Sequence, residues 1–174
     1  MKHDNFYLTF SLIIIAQMVV DNFIHMTPLL TVTTLPILIM ILPIETGTIK
    51  SMVVAFITAL LVDLLSDGLI GLNVFALVPV ALLRKGLISL VFGSGVFARE
   101  DNISIAKQGF FRYTVGSILF LAIFLALYII GDGAATRPIW YNLVRFVLSL
   151  VANYVVALFI SVVVTSSSTS SRWS

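Results

Sequence analysis

The sequence predicts an all-α, polytopic membrane bundle of about six transmembrane helices, on three observations. Of 174 residues, 60% are hydrophobic and only 10% are charged, whereas a soluble domain is nearer half apolar and a quarter charged. The mean hydropathy is +1.13. The apolar residues fall in long runs rather than short alternating ones, which favours helices over a barrel. The same composition excludes a disordered chain. A formal net charge of +2, with no basic arm and no zinc-finger spacing, leaves no nucleic-acid footprint. The absence of cysteine removes disulfides, thiolate metal sites and cysteine nucleophiles together.

The first apolar run covers residues 6–26. Lys2 and the apolar core imitate a signal peptide, but Gln17 to Asn22 offers no small-x-small cleavage site, so a retained span is expected. The second run, 28–44, carries Pro36 and Pro43, which are expected to kink a helix. The third covers 49–65. The fourth starts at Leu72, and Leu72 to Leu83 gives only about 18 Å of helix before Arg84 and Lys85. Either those side chains snorkel toward headgroups, or the helix ends there. Residues 87–97 then lie along the interface or complete a long tilted span. The fifth run covers 113–130 and the sixth 139–164. Residues 1–164 therefore form one membrane domain, and the serine-rich 165–174 a flexible cytoplasmic tail.

Basic residues set the expected orientation. Lys2, Lys50, Arg99, Lys107, Arg112 and Arg172 fall on one side of a six-span arrangement, and the opposite loops hold only Arg137. That distribution predicts both termini in the cytoplasm. Tyr7 and Tyr113 near inner ends, and Trp140 and Tyr141 near an outer one, fit an aromatic belt.

Polar residues inside the apolar runs carry the remaining information, because a charge near a helix centre costs about 2.5–3.5 kcal/mol and needs a partner or a wet cavity. Ser51, Ala55, Ala59, Asp63 and Asp67 follow one another at intervals of four. Ser149, Asn153, Ala157 and Ser161 repeat the interval in the sixth run. Both stripes are expected to face the bundle interior, in contact with each other or with other helices. Gln17, Asp21 and His25 share one helix face toward the outer end, and Arg145 enters from the same side. A polar cluster is expected there, with Arg145 neutralising Asp63 or Asp21, unless Asp21 simply reaches the interface. Between the third and fourth runs, Asp63, Ser66, Asp67, Gly68, Gly71 and Asn73 interrupt the apolar sequence. Gly68 and Gly71 permit a tight reversal, and Asn73 or Ser66 is placed to satisfy freed helix-end groups. This is either a short helix–helix turn or a polar notch where a ligand or partner docks.

Catalytic chemistry is missing from the sequence. With His3 and His25 alone and no H-E-x-x-H, a zinc protease is excluded. Asp21 and His25 supply at most half a metal site. Gly131-Asp132-Gly133 lacks the context of an intramembrane aspartyl protease. Gly93-Ser94-Gly95 has no histidine placed to activate Ser94. No phosphate-binding glycine loop with Lys and Ser/Thr exists. No enzyme activity, cofactor or metal is expected.

The order of features nevertheless resembles a known family. A proline-broken second run ends Leu42-Pro43-Ile44-Glu45-Thr46. A third run follows with Asp63 and the break Ser66-Asp67-Gly68-Leu69-Ile70-Gly71-Leu72-Asn73, then Leu83-Arg84 and the Arg99-Glu100 loop. This is similar to the MreD family of rod shape-determining membrane proteins over nearly the whole chain, the specific part being Asp63 to Asn73. The resemblance implies a non-enzymatic, multi-pass component of the bacterial inner membrane, acting in the cell-elongation complex and in lateral peptidoglycan synthesis. It implies binding to the bitopic protein MreC and, through it, to MreB, RodA and its transpeptidase partner. It also implies a fold similar to the substrate-binding subunits of energy-coupling-factor transporters. The competing class is such a vitamin-type solute-binding subunit, whose alanine-rich docking motif the first span, with only Ala16, does not supply. A channel is disfavoured by the apolar inner halves of the spans. The basic loop from Arg99 to Arg112 is suited to membrane lipid or a cytoplasmic partner.

Overall fold

The computed structural model describes residues 9–19, 29–65, 69–99, 103–133 and 137–170. All regular structure among them is helical: α1 (Thr9–Val19), α2 (Leu35–Ile41), α3 (Thr48–Leu65), α4 (Leu72–Phe92), α5 (Gly95–Arg99), α6 (Ile105–Gln108), α7 (Phe110–Gly131) and α8 (Ile139–Ser170). Four of these, α3, α4, α7 and α8 over Ile139–Val162, are long and apolar enough to cross a membrane. The chain is thus a multi-pass helical bundle.

Packing follows from which helices are apolar all round. α2, with the sequence Leu-Pro-Ile-Leu-Ile-Met-Ile, has no polar face, and all seven of its residues are buried. It sits against α3, α4 and α7. α4 packs along α3 on one side and α7 on the other, and α7 packs along α8. The core is built from α2 together with Ala76, Leu77 and Val80 of α4 and Phe120, Phe124 and Leu125 of α7. At Gly116 a Cβ atom would come within 2.8 Å of Phe92 Cζ, so the missing side chain is what lets α7 close on the end of α4.

Two expectations about the spans are corrected. Residues 28–44 do not form a kinked helix. Residues 30–34 carry no helix, and α2 begins only at Leu35, with Thr34 at the N-cap and Pro36 in the first turn. Proline there loses no helical hydrogen bond, so it starts the helix instead of bending it. Nor does α4 stop at Arg84 and Lys85. It continues to Phe92 and ends at Gly93, whose φ of +86° admits glycine and whose N–H returns to Ser89 O. Residues 87–92 therefore complete the span, and α5 follows separately. α8 continues as helix to Ser170, into the serine-rich segment read as a loose tail.

Candidate functional site

The polar side chains inside the bundle converge on backbone groups that helices leave unpaired. Asp63, near the end of α3, is 2% exposed. Its Oδ2 accepts from Gly71 N at 2.9 Å and Val74 N at 3.4 Å. Its Oδ1 accepts from Asn73 N at 3.2 Å and Asn73 Nδ2 at 2.8 Å. The first turn of any helix has N–H groups with no intrahelical acceptor, and its dipole favours a negative charge. Asp63 supplies both needs for α4 from the preceding helix. Gly71, at φ +92°, makes the reversal that brings these donors round. The expected turn between α3 and α4 is therefore present, with Asp63, rather than Asn73, as the capping acceptor among the described residues. Ser66, Asp67 and Gly68 lie outside the described residues.

A second set of bonds holds the non-helical stretch before α2. In an extended chain, successive residues direct their backbone polar groups to opposite edges. Thr31 and Thr33 turn theirs to α8: Ser149 Oγ accepts from Thr31 N at 2.9 Å, Asn153 Oδ1 accepts from Thr33 N at 2.5 Å, and Asn153 Nδ2 donates to Thr31 O at 2.7 Å. Val32 and Thr34 turn theirs to α1: Gln17 Nε2 donates to Val32 O at 3.0 Å, and Gln17 Oε1 accepts from Thr34 N at 2.7 Å. Ser149 and Asn153 lie about 15 and 21 Å along α8, at a depth where unpaired backbone is tolerated only inside protein. Two amide side chains and a hydroxyl replace the strand neighbours this segment lacks.

The far end of α2 is held by Arg84, which is 3% exposed. Its Nε donates to Ile39 O at 2.8 Å, and its Nη2 to Leu42 O and, at 3.3 Å, to Pro43 O. Thus Arg84 neither snorkels to headgroups nor ends its helix; it caps α2 from α4. A guanidinium spans several carbonyls because its donors form a fixed fork.

Arg145 is buried, and among the described residues its acidic partner is Asp132 and not Asp63. Its Nη1 pairs with Asp132 Oδ2, its Nη2 donates to Thr31 Oγ1 at 3.1 Å, and its guanidinium lies 5.9 Å from the Tyr128 ring centroid. Asp132 also binds Arg137 at 3.1 Å. Asp63 is not its partner, because the α4 terminus already occupies both carboxylate oxygens. Asp21 and His25 of the expected cluster lie outside the described residues. Gln17 and Arg145 do share a target, since both bind the 31–34 segment.

Both small-residue stripes face inward. Ser51, Ala55, Ala59 and Asp63 are buried, as are Ser149, Asn153, Ala157 and Ser161. They meet different neighbours: α3 packs on α4, and α8 packs on α7 and on the 31–34 segment. Tyr113 Oη reaches Ala157 O at 3.4 Å, and Thr114 Oγ1 lies 2.9 Å from Tyr154 Oη across the same α7–α8 seam. The sequence reading missed the capping role of Arg84, the pairing of Asp132 with Arg145 and the bonding of the 31–34 backbone. The run Thr31-Val32-Thr33-Thr34, four β-branched residues in an otherwise leucine-rich stretch, was the signal for extended chain.

Among the described residues no cluster of three His, Cys, Asp or Glu side chains is placed to hold a metal. Comparison with protein families, with characterised proteins and with solved structures finds no match for this chain.

Proposed function

We propose that this chain is a non-enzymatic membrane scaffold of the MreD type, a component of a bacterial cell-elongation complex that binds MreC and organises lateral peptidoglycan synthesis. The observation that carries the reading is the use made of Asp63. A carboxylate at a solute notch would need oxygens free for the ligand; here both oxygens serve the backbone of Gly71, Asn73 and Val74. These polar residues build the bundle, and α8 offers an apolar ridge outward.

In this reading the non-helical 29–34 segment and α2 together make one crossing. With residues 30–33 at about 3.3 Å each and 34–41 at about 1.5 Å each, they reach about 25 Å, most of the hydrocarbon core. With α1 they complete six crossings, an arrangement similar in kind to the substrate-binding subunits of energy-coupling-factor transporters. Both termini are then cytoplasmic, in the inner membrane. The single helix of MreC packs on the outward ridge Val147, Val151 and Val155 of α8, all half-exposed or more, since the small-residue stripes are already used inside.

The test is a gentle-detergent pull-down from native membranes with mass spectrometry of the co-purifying proteins. Recovery of a bitopic scaffold with wall-synthesis enzymes, lost on Val151→Trp, is the expected result. Recovery of ATPase subunits and a coupling membrane protein instead would overturn the reading in favour of solute transport.

A further inference from the structure

A cavity of about 100 Å³ lies between the turn after α2, the first turn of α3 and the second half of α4. Its wall carries Thr46, Thr48, Ser51, Arg84, Lys85 and Phe97. Three features of this wall favour one ligand chemistry.

Positive charge is concentrated on this wall. The recorded bonds of Arg84 go to neutral carbonyls, and among the described residues neither Arg84 nor Lys85 forms an ion pair. Glu45, between the lining residues Ile44 and Thr46, is exposed, and Asp63 is committed at the other end of α3. The Lys85 ammonium sits 5.8 Å from the Phe97 ring centroid, which places it at the wall. Hydroxyl donors are waiting as well. Ser51 is 1% exposed, and its Oγ has no hydrogen-bond partner; a buried hydroxyl left so is costly unless something in the cavity bonds it. Finally, α3 is an 18-residue helix with no acid in its first turn, so the positive end of its dipole meets the cavity unopposed.

We propose that this cavity binds a phosphate group, the free anion or the phosphodiester of an anionic lipid, at the bundle end that the orientation above makes cytoplasmic. Two cations, hydroxyls and a helix N-terminus converge as a tetrahedral oxyanion requires. With a water's share of liquid volume at about 30 Å³, the space takes the phosphate itself and leaves the rest of a lipid outside in the bilayer.

The full chain, purified in neutral detergent, is tested with two probes. Inorganic phosphate is titrated against chloride at equal ionic strength while thermal unfolding is followed. Nanodiscs of phosphatidylcholine with or without phosphatidylglycerol are analysed by native mass spectrometry for retained lipid. Either probe raising the melting temperature or remaining bound supports the site, and the comparison tells the free anion from the lipid headgroup. Lys85→Gln weakens that binding about tenfold, and Ser51→Ala weakens it while folding normally, because the hydroxyl it removes has no internal partner. If neither probe binds, or both variants bind like the parent, the proposal fails.

Discussion

Asp63 fastens two helices with one carboxylate, and its value can be measured by taking away the acceptor. Asp63→Ala strands the N–H groups of Gly71, Asn73 and Val74 in an apolar setting and is expected to cost about 2 kcal/mol. Asp63→Asn keeps one acceptor oxygen but sets an amide donor against backbone donors, so it recovers less than half of that loss. Thermal unfolding of the three proteins in one detergent decides the order. The importance of Asp63 was legible in the sequence, because a carboxylate inside an apolar run demands an explanation. Its partners were not, since backbone N–H groups carry no letter. Arg145 shows the complementary difficulty: the sequence offered it Asp63 or Asp21, and only the packing of α8 on α7 brings it to Asp132.

At the level of the element, the segment from Leu30 to Ile41 is the least ordinary part of the bundle. Hydropathy cannot tell it from a helix, because burial makes extended and helical residues equally apolar. The prolines were read as kinks, whereas the four β-branched residues before them mark the conformational change. The structure supplies what the extended half lacks, through Gln17 on one side and Ser149 and Asn153 on the other. Asn153→Leu keeps the volume roughly constant and removes both bonds to Thr31 and Thr33. Amide exchange at Thr31–Thr34 should then accelerate at least tenfold, matching a loss of about 2 kcal/mol, while α4 stays protected. Equal acceleration across all helices would mean that the segment is not held separately.

For the whole molecule, fold class was readable from composition and the length of the apolar runs, because hydrocarbon admits so few architectures. The order in which helices pack was not, since it rests on contacts such as Gly116 against Phe92 that have no periodic signature. Orientation rests on the basic residues and is open to a direct check, helped by the absence of native cysteine. Trp140→Cys and Lys107→Cys both replace exposed side chains. In intact cells, an impermeant maleimide should label the first, and should label the second only after the membrane is opened. The reverse pattern would invert the molecule and move the Lys85 cavity to the outer face.

The capping of α2 by Arg84 also dictates a schedule for biogenesis. When residues 29–44 leave the ribosome, neither Arg84 nor Asn153 has yet been made, so the carbonyls of Ile39 and Leu42 and the amide of Thr33 have no protein to receive them. The segment cannot settle in lipid on its own account and must wait, at the translocon or in the interface, until α4 and then α8 arrive. Truncation after α7 would therefore leave a chain whose second crossing is unfinished, however apolar it looks.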